Sequence, residues 1–302
     1  MRILCIGTIA TLLFFAQKLT PVPLPVFILL FMPMSMFQLG STTTDGIHFA
    51  LIAFIMSALY KLYRDGYSYK LLTVLNVAIF VLITHRINFF PIALLPALLY
   101  FKEKNKQYLF GSGIVLFCTL FWIFYAMKIV PKKESDVGLL NVALHYISNP
   151  IATLKIFANT FQNANKVNFY HNSFAGQLGW LDYKVKQQFI EITYIFLTLI
   201  LLLYLKIKYK IYDVLVVLCA IGIFVLTFFI LLVQWTKFPC TTVIDGVQGR
   251  YLVPIAIMLT YPIYEEKKCA LLNTVVAIGV GIYGFFSLYH TVLATLLRYY
   301  IK

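Results

Sequence analysis

The stretch IYDVLVVLCAIGIFVLTFFILLVQ, residues Ile211–Gln234, is almost entirely apolar. As a helix it is long enough to cross the hydrocarbon core of a bilayer, which takes about 20 residues. Similar apolar blocks recur on both sides of it: Ile3–Ala16, Val22–Gln38, Ile47–Tyr60, Leu71–Thr84, Ile87–Phe101, Tyr108–Met127, Phe189–Leu205, Tyr251–Tyr264 and Ala270–Tyr289. The pattern predicts an all-α, polytopic transmembrane bundle of about ten helices that forms one domain over residues 1–302.

Several of these blocks contain proline: Pro33, Pro91, Pro96, Pro254 and Pro262. Proline lacks a backbone donor and clashes with the preceding turn, so it kinks or interrupts a helix. Interrupted helices are tolerated at membrane depth where neighbouring elements satisfy the freed carbonyl groups. We therefore expect kinked or partly re-entrant helices in the bundle.

The composition excludes a soluble globule. Of the 302 residues, 61% are hydrophobic and 12% are charged, whereas a soluble domain is about half apolar and about a quarter charged. The formal net charge of +14 would suggest nucleic acid as a partner of a soluble protein. Here the lysine and arginine residues lie mainly in short connectors, where lipid headgroups are close. The charge therefore favours membrane lipid as a partner and argues against nucleic acid.

No cofactor site can be identified in the sequence. The five cysteines show no CxxC spacing: Cys5, Cys118, Cys219, Cys240 and Cys269. Neither a metal site nor a disulfide framework is therefore predicted, and a divalent metal has no ligand set to support it. His48, His145, His171 and His290 are scattered without ligand spacing, which favours packing or surface roles.

Lysine-rich connectors alternate with connectors of a different character. The lysine-rich set is Lys61, Arg64 and Lys70; Lys102, Lys104 and Lys106; Lys206, Lys208 and Lys210; and Lys267 and Lys268. Lysine and arginine accumulate in cytoplasmic loops, so this set is predicted to face the cytosol. The alternate connectors are then predicted to face outward: Ser41–Gly46, His85–Arg86, Lys128–Gln187 and Thr236–Gly249.

The long outer connector, residues 128–187, contains two helical patterns. Asn149 and Pro150 resemble a helix N-cap followed by proline in the first turn. Apolar residues repeat at helical spacing after and before this point: Ile151, Leu154, Phe157 and Phe161, and Leu139, Leu140, Ala143 and Ile147. Two short amphipathic helices lying on the outer membrane face are one interpretation, and a small packed extracytoplasmic cap is the other.

Charged residues at the predicted outer ends of helices are the first functional candidates, because polar groups at membrane depth are costly. These are Asp45, Arg86, Asp182, Asp245 and Arg250. If they converge, they form a mixed-charge cleft at the boundary of water and lipid. Such a cleft suits a substrate with a lipid tail and a phosphate head.

Each candidate also has a plainer interpretation. Arg250 could bind phosphate through its guanidinium, or it could snorkel to the interface or pair with Asp245. Arg86 could simply mark the outer ends of two helices. Asp45 suits a helix N-cap as well as catalysis. Asp182 could be a base or a metal ligand, although an exposed loop aspartate without a second carboxylate is usually neither.

Three segments resemble a known family. They are Phe31–Asp45 (FMPMSMFQLGSTTTD), Phe174–Asp182 (FAGQLGWLD) and Gly246–Pro254 (GVQGRYLVP). Their sequences, order and outer placement resemble the bacterial membrane family called domain of unknown function 2142 (DUF2142). The resemblance implies a multi-pass protein of the bacterial plasma membrane.

That family is similar in architecture to the GT-C glycosyltransferases, which take a sugar from a polyprenyl-phosphate carrier at the outer membrane face. The resemblance implies that Arg250 touches the lipid-linked phosphate, with Gln248 and Arg86 nearby. It also implies that Trp180 and Asp182 border the sugar or a polysaccharide acceptor of the cell envelope.

The chain departs from the GT-C pattern at its beginning. GT-C enzymes carry an acidic residue in the first outer loop, and nothing similar precedes Pro33. The sequence therefore suggests an N-terminally shortened member that lacks the expected base, with Asp45 and Asp182 as the remaining catalytic candidates. The alternative function is a non-enzymatic carrier of lipid-linked sugars, or an accessory subunit that docks through the long outer loop.

Overall fold

The computed structural model describes residues 1–129, 138–206, 210–240, 242–265 and 269–300. Its α-helices are α1 Arg2–Leu19, α2 Leu24–Phe31, α3 Pro33–Leu39, α4 Thr44–Asp65, α5 Tyr69–His85, α6 Leu94–Leu98, α7 Tyr100–Glu103, α8 Gln107–Ile129, α9 Leu139–Ser148, α10 Pro150–Gln162, α11 Ala164–Ala175, α12 Gln187–Leu203, α13 Ile211–Gln234, α14 Val253–Ile263 and α15 Ala270–Tyr299. Two 3-10 helices, Ile87–Ala93 and Gly249–Leu252, and one hairpin, β1 Gln177–Leu178 with β2 Tyr183–Lys184, complete the described elements. The expectation of an all-α membrane protein is confirmed.

Five of the described helices are long and apolar enough to cross a membrane: α1, α4, α8, α13 and α15. Helices α5, α9 and α12 are shorter and also apolar. The count of about ten membrane helices stays a prediction, because several predicted blocks consist of more than one element.

The interruptions fall at the prolines. Pro33 occupies the first position of α3, directly after α2 ends at Phe31. The predicted block Ile87–Phe101 is divided into a 3-10 helix that contains Pro91, followed by α6 and α7. Proline fits the first turn of a helix but removes a hydrogen bond farther along. These breaks place irregular backbone beside the charged connectors.

Helix α4 is the central element of the bundle. Most of its residues are buried, and it packs against α1, α3, α5 and α14. The surrounding helices instead expose large apolar side chains, including Phe117 of α8 and Phe285 of α15. A helix that is apolar on all sides needs protein or lipid around it. This arrangement is the one expected of a bundle whose outer surface contacts hydrocarbon.

The two ends of α4 carry different charges. Asp45 lies in its first turn and Arg64 in its last, and at 1.5 Å per residue they are about 28 Å apart, close to the thickness of a hydrocarbon core. At the Arg64 end, Lys102 Nζ donates to the Tyr63 carbonyl and Lys206 pairs with Asp213. Lysine-rich connectors thus gather at the end opposite Asp45, which supports the predicted alternation of connectors between the two ends of the bundle. Lys208, Lys267 and Lys268 lie outside the described residues.

The outer connector contains the two predicted helices, α9 and α10, and a third, α11, that sequence reasoning missed. Asn149 is at the N-cap position of α10 with Pro150 next, as predicted, although its side chain donates to His145 O instead of capping.

The buried face of these helices differs from the predicted apolar stripe. Val142, Tyr146 and Ile156 pack against Phe228 and Leu232 of α13. The predicted stripe is largely exposed, including Leu140, Ile147, Ile151 and Leu154. Helices α9 and α10 therefore pack as a cap against α13 on one face and expose apolar side chains on the other. The first property was expected of a packed cap, and the second of amphipathic helices lying on the membrane.

Candidate functional site

Three of the predicted charged residues meet at one point. Asp45 begins α4, Arg86 follows the end of α5, and Arg250 lies in the second 3-10 helix. Arg86 Nη2 donates a hydrogen bond to Asp45 Oδ1, and Arg250 Nε lies 3.5 Å from Asp45 Oδ2. The Asp45 side chain is only 10% exposed, and those of Arg86 and Arg250 are 25% and 20% exposed. One largely buried carboxylate therefore pairs with two guanidinium groups, and the three side chains together keep an excess of one positive charge.

Asp45 is not the helix N-cap, so that interpretation is wrong. Thr43 occupies the N-cap position, and Asp45 lies within the first turn of α4. A carboxylate there is still favoured by the partial positive charge of the helix N-terminus. Thr43 Oγ1 donates to Gln38 Oε1 at 2.5 Å, which ties the start of α4 to α3.

Gly46 explains how closely these two helices approach. A Cβ atom at Gly46 would lie 2.7 Å from the carbonyl oxygen of Gln38. A residue with a side chain would therefore push α4 away from α3. Since Asp45 is the preceding residue, this glycine contact fixes the position of its carboxylate.

Aromatic side chains support the charged cluster. The Tyr251 ring centroid lies 4.7 Å from Arg86 Cζ and 5.6 Å from Arg250 Cζ, so one ring contacts both guanidinium groups. His48 Nδ1 lies 4.0 Å from Asp45 Oδ1, and the rings of His48 and His85 are 5.6 Å apart. Sequence reasoning missed Tyr251 and assigned His48 to packing or surface roles. The available signals were the i,i+3 spacing of His48 from Asp45 and the position of Tyr251 next to Arg250.

A cavity of about 420 Å³ lies beside Arg86. Its polar lining includes Arg86, His85, Asn88 and Gln234, with Tyr251 at the edge of the charged cluster. Its other walls are mainly apolar and come from α5, α8, α9 and α13. A charged end and an apolar wall in one cavity suit an amphiphilic ligand.

Two polar atoms near this cluster have no hydrogen-bond partner among the described residues. Gln248 Oε1 and Arg250 Nε are both buried and unpaired in this sense, although Arg250 Nε is within ion-pair distance of Asp45. Buried polar atoms are usually satisfied, and exceptions often mark sites where a ligand or water binds. Both atoms belong to the Gly246–Pro254 segment.

The backbone of that segment is held by α11 and by an aromatic ring. Gly246 has a φ of +79° and lies against the Trp235 ring. Gly249 N donates to Ser173 Oγ at 2.8 Å, and a Cβ at Gly249 would lie 2.2 Å from the Tyr170 carbonyl oxygen. Both positions therefore require glycine, and the second sets the contact that positions Arg250.

The other two predicted charges do not join the cluster. Asp182 pairs with Arg298 at 3.1 Å, and Asp245 pairs with Lys166 at 2.5 Å. Trp180, next to Asp182, is 96% exposed. The predicted convergence thus applies to Asp45, Arg86 and Arg250 alone, and the partner of Arg250 is Asp45 instead of Asp245.

The hairpin explains why Asp182 lies apart. Asp182 Oδ1 accepts from the backbone N–H of Trp180, and Leu181 has a φ of +68° in the turn between β1 and β2. The turn directs Asp182 toward α15, where Arg298 lies. Within the described part of the chain, no group of three His, Cys, Asp or Glu residues is arranged to hold a metal ion.

Comparisons with known proteins give one result. A family model described as "Predicted membrane protein (DUF2142)" matches residues 1–259. No curated protein matches the chain. No solved structure matches it.

Proposed function

The chain belongs to the DUF2142 family of predicted membrane proteins, and from this premise we propose that it is a GT-C-like glycosyltransferase. It uses a polyprenyl-phosphate-linked sugar at the outer membrane face to modify a cell-envelope polysaccharide. The observation that carries the proposal is the pairing of Asp45 with both Arg86 and Arg250 beside an amphiphilic cavity.

The two guanidinium groups are suited to the donor phosphate. Planar guanidinium groups bind phosphate oxygens in a bidentate manner, which a lysine cannot do. In the structure the Asp45 carboxylate accepts a hydrogen bond from Arg86 and lies within ion-pair distance of Arg250. A bound phosphate replaces Asp45 as the partner of Arg86 and Arg250, and the Tyr251 ring keeps the guanidinium groups in place. Arg250 Nε is suited to donate to a phosphate oxygen, and Gln248 Oε1 to accept a hydrogen bond from a sugar hydroxyl.

Release from the arginines makes Asp45 the best placed base. In the proposed step, an oxygen of the acceptor hydroxyl forms a bond to the anomeric carbon of the sugar. The bond from that carbon to the phosphate oxygen breaks, and the polyprenyl phosphate leaves with the electron pair. The hydroxyl proton passes to Asp45, and the arginines stabilise the charge that develops on the phosphate.

The cavity accounts for the lipid part of the donor. Its apolar walls from α5, α8 and α13 lie directly beside Arg86 and Asn88. Isoprenoid chain carbons bury apolar surface there, while the phosphate stays with the arginines. Trp180 and Asp182 remain proposed contacts of the sugar or acceptor, by resemblance to the family.

The direct test measures binding and transfer separately. Purified protein in detergent is titrated with polyprenyl phosphate, and Arg86→Gln and Arg250→Gln are compared with the control Lys166→Gln, which removes an outer charge away from the cluster. Each arginine variant should bind about tenfold more weakly or worse, because charge-assisted hydrogen bonds contribute about 1.5–3 kcal/mol. Equal affinity of all variants would remove the proposed site, and absence of sugar transfer by the wild type would remove the enzymatic step.

A non-enzymatic carrier of lipid-linked sugars is the second candidate function. Helices broken within the membrane are typical of carriers, and here α2 and α3 are separated at Met32 and the block after Arg86 begins with a 3-10 helix. A carrier binds the same phosphate but performs no transfer. Binding without transfer, together with movement of the labelled lipid across reconstituted vesicles, would favour it.

A further inference from the structure

A second charged cavity lies at the opposite end of the bundle. It has a volume of about 290 Å³ and is formed by the end of α1, the end of α4, Lys102 of α7 and the connector that precedes α13. Four cationic side chains line it, Arg64, Lys102, Lys206 and Lys210, together with one carboxylate, Asp213. The described lining therefore has a clear excess of positive charge.

Asp213 does not neutralise the whole cluster. It is 1% exposed and accepts hydrogen bonds from Tyr60 Oη at 2.8 Å and from the backbone N–H of Lys210 at 2.9 Å. Lys206 Nζ lies 2.5 Å from the second carboxylate oxygen of Asp213, Oδ2. Arg64 pairs instead with Asp65 at 2.5 Å. Asp213 and Asp65 are thus used by Lys206, Arg64, Lys61 and two neutral donors, and Glu103 at the same end accepts from Tyr108 Oη at 3.0 Å.

Lys102 and Lys210 remain without a carboxylate. Among the described residues, neither ammonium group forms an ion pair within 4.0 Å. Both contact the Tyr63 ring, with Nζ to centroid distances of 4.4 Å for Lys102 and 5.5 Å for Lys210, and Lys102 Nζ also donates to the Tyr63 carbonyl oxygen. Two like charges thus lie near one aromatic ring, and an anion between them would reduce their mutual repulsion.

The floor of the cavity is formed by packed aromatic rings. The Tyr63 ring stacks on Tyr212 with centroids 4.8 Å apart and an interplanar angle of 10°, and Tyr212 is buried. Tyr60 is held by its hydrogen bond to Asp213. The ammonium groups are therefore placed against an ordered aromatic surface, and they need little rearrangement to bind a ligand.

We propose that this cavity binds a phosphate group, carried by an anionic phospholipid of the adjacent leaflet or by a soluble phosphate. Basic pockets between membrane helices on the cytoplasmic side bind anionic headgroups, because each lysine near the surface attracts them. A role in setting membrane orientation accounts for the number of lysines in these connectors. It does not account for the convergence of Lys102 and Lys210 on one ring.

The test compares two variants that lose the same charge from the same end. Lys102→Gln with Lys210→Gln removes the two ammonium groups that have no carboxylate partner among the described residues. Lys70→Gln with Lys106→Gln is the matched control, since those lysines are likewise exposed but lie outside the cavity. Delipidated protein in a neutral detergent is titrated with phosphatidylglycerol, phosphatidylcholine and inorganic phosphate. Bound molecules are counted by native mass spectrometry.

The wild type and the control should bind phosphatidylglycerol in preference to phosphatidylcholine, and the Lys102 and Lys210 variant should bind it roughly tenfold more weakly. If inorganic phosphate binds and displaces phosphatidylglycerol, the ligand is a soluble phosphate. If phosphatidylglycerol binds and inorganic phosphate does not displace it, the ligand is the lipid. Lys102→Arg with Lys210→Arg keeps the charges and should retain binding, which separates a lost site from a damaged fold. Equal binding by the Gln variant and its control, or binding of neither phosphatidylglycerol nor inorganic phosphate, would overturn the proposal.

Discussion

Arg250 Nε lies 3.5 Å from Asp45 Oδ2, although the two residues come from distant parts of the chain. This contact joins the first turn of α4 to the 3-10 helix before α14, and Arg86 completes it from the end of α5. A functional cluster that depends on three distant connectors should respond to changes in each of them. The following predictions use that dependence.

Replacing Asp45 separates the two roles proposed for it. Asp45→Asn leaves the guanidinium groups without their carboxylate, so the free energy of unfolding should fall by about 1–3 kcal/mol. Binding of polyprenyl phosphate should be retained or become tighter, because the competing carboxylate is lost, whereas sugar transfer should be abolished.

Thermal unfolding in detergent, lipid titration and a transfer assay measure these three effects. Asp245→Asn is the matched control, because it removes an exposed carboxylate whose partner is Lys166. It should leave all three nearly unchanged. Retention of full transfer by Asp45→Asn would rule out Asp45 as the base.

Gly249 controls the distance between the Arg250 segment and α11. Gly249→Ala places a Cβ 2.2 Å from the Tyr170 carbonyl oxygen, and such overpacking typically costs about 1–3 kcal/mol. Phosphate binding should weaken as well, because Arg250 moves with the backbone.

Gly281→Ala in α15 is the control, since nothing lies within 4 Å of its Cβ position. Alanine is the better helix former, so this variant should be as stable as the wild type or slightly more stable. Equal stability of the Gly249 and Gly281 variants would show that the close contact with α11 is absent in the protein.

The orientation can be tested by labelling single cysteines in intact cells. Trp180 is 96% exposed at the predicted outer end, and Lys106 is exposed at the lysine-rich end. In a background without native cysteines, Trp180→Cys should react with a membrane-impermeant maleimide from outside, and Lys106→Cys should react only after lysis. The reverse pattern would place the Asp45 cluster in the cytosol and contradict its proposed donor.

Tyr170 gives the protein a specific pH dependence. Burial, followed by the charge of Asp245, raises the pKa of Tyr170 to about 12 from an ordinary value of 10.0. The unfolded chain therefore loses this proton first as the pH rises, so stability is fully present below pH 10 and falls between pH 10 and about 12.

Tyr170→Phe should remove the share of that slope due to Tyr170, at most about 1.4 kcal/mol per pH unit, while Tyr146 and Tyr183, whose pKa values burial also raises, keep theirs. At pH 7 the variant should be no less stable, because the Tyr170 hydroxyl is buried without a hydrogen-bond partner among the described residues. Unfolding free energies of the wild type and the variant at neutral pH and above pH 10 provide the comparison, and parallel curves would contradict the assigned shift.

Much of the membrane architecture could be predicted from local sequence. Apolar blocks such as Ile211–Gln234 are helices in the structure, and the pattern before and after Asn149 correctly indicated α9 and α10. These features depend on the spacing of neighbouring residues, which sequence records directly. Helix α11 was missed because its residues are only weakly apolar, and its packing depends on elements that are distant in the chain, as in the contact of Ser173 with Gly249.

By itself, the sequence determined that this chain is an all-α membrane protein, because hydrophobicity acts through residues close together in the chain. The alternation of charged connectors between two sides of the membrane stays a prediction. The tertiary structure alone decided that Asp45, Arg86 and Arg250 share one cluster while Asp182 and Asp245 pair elsewhere. The reason is geometric: those contacts require α4 to pack at the centre and Gly46 and Gly249 to let separate backbones approach closely. No local pattern specifies which distant connectors will meet.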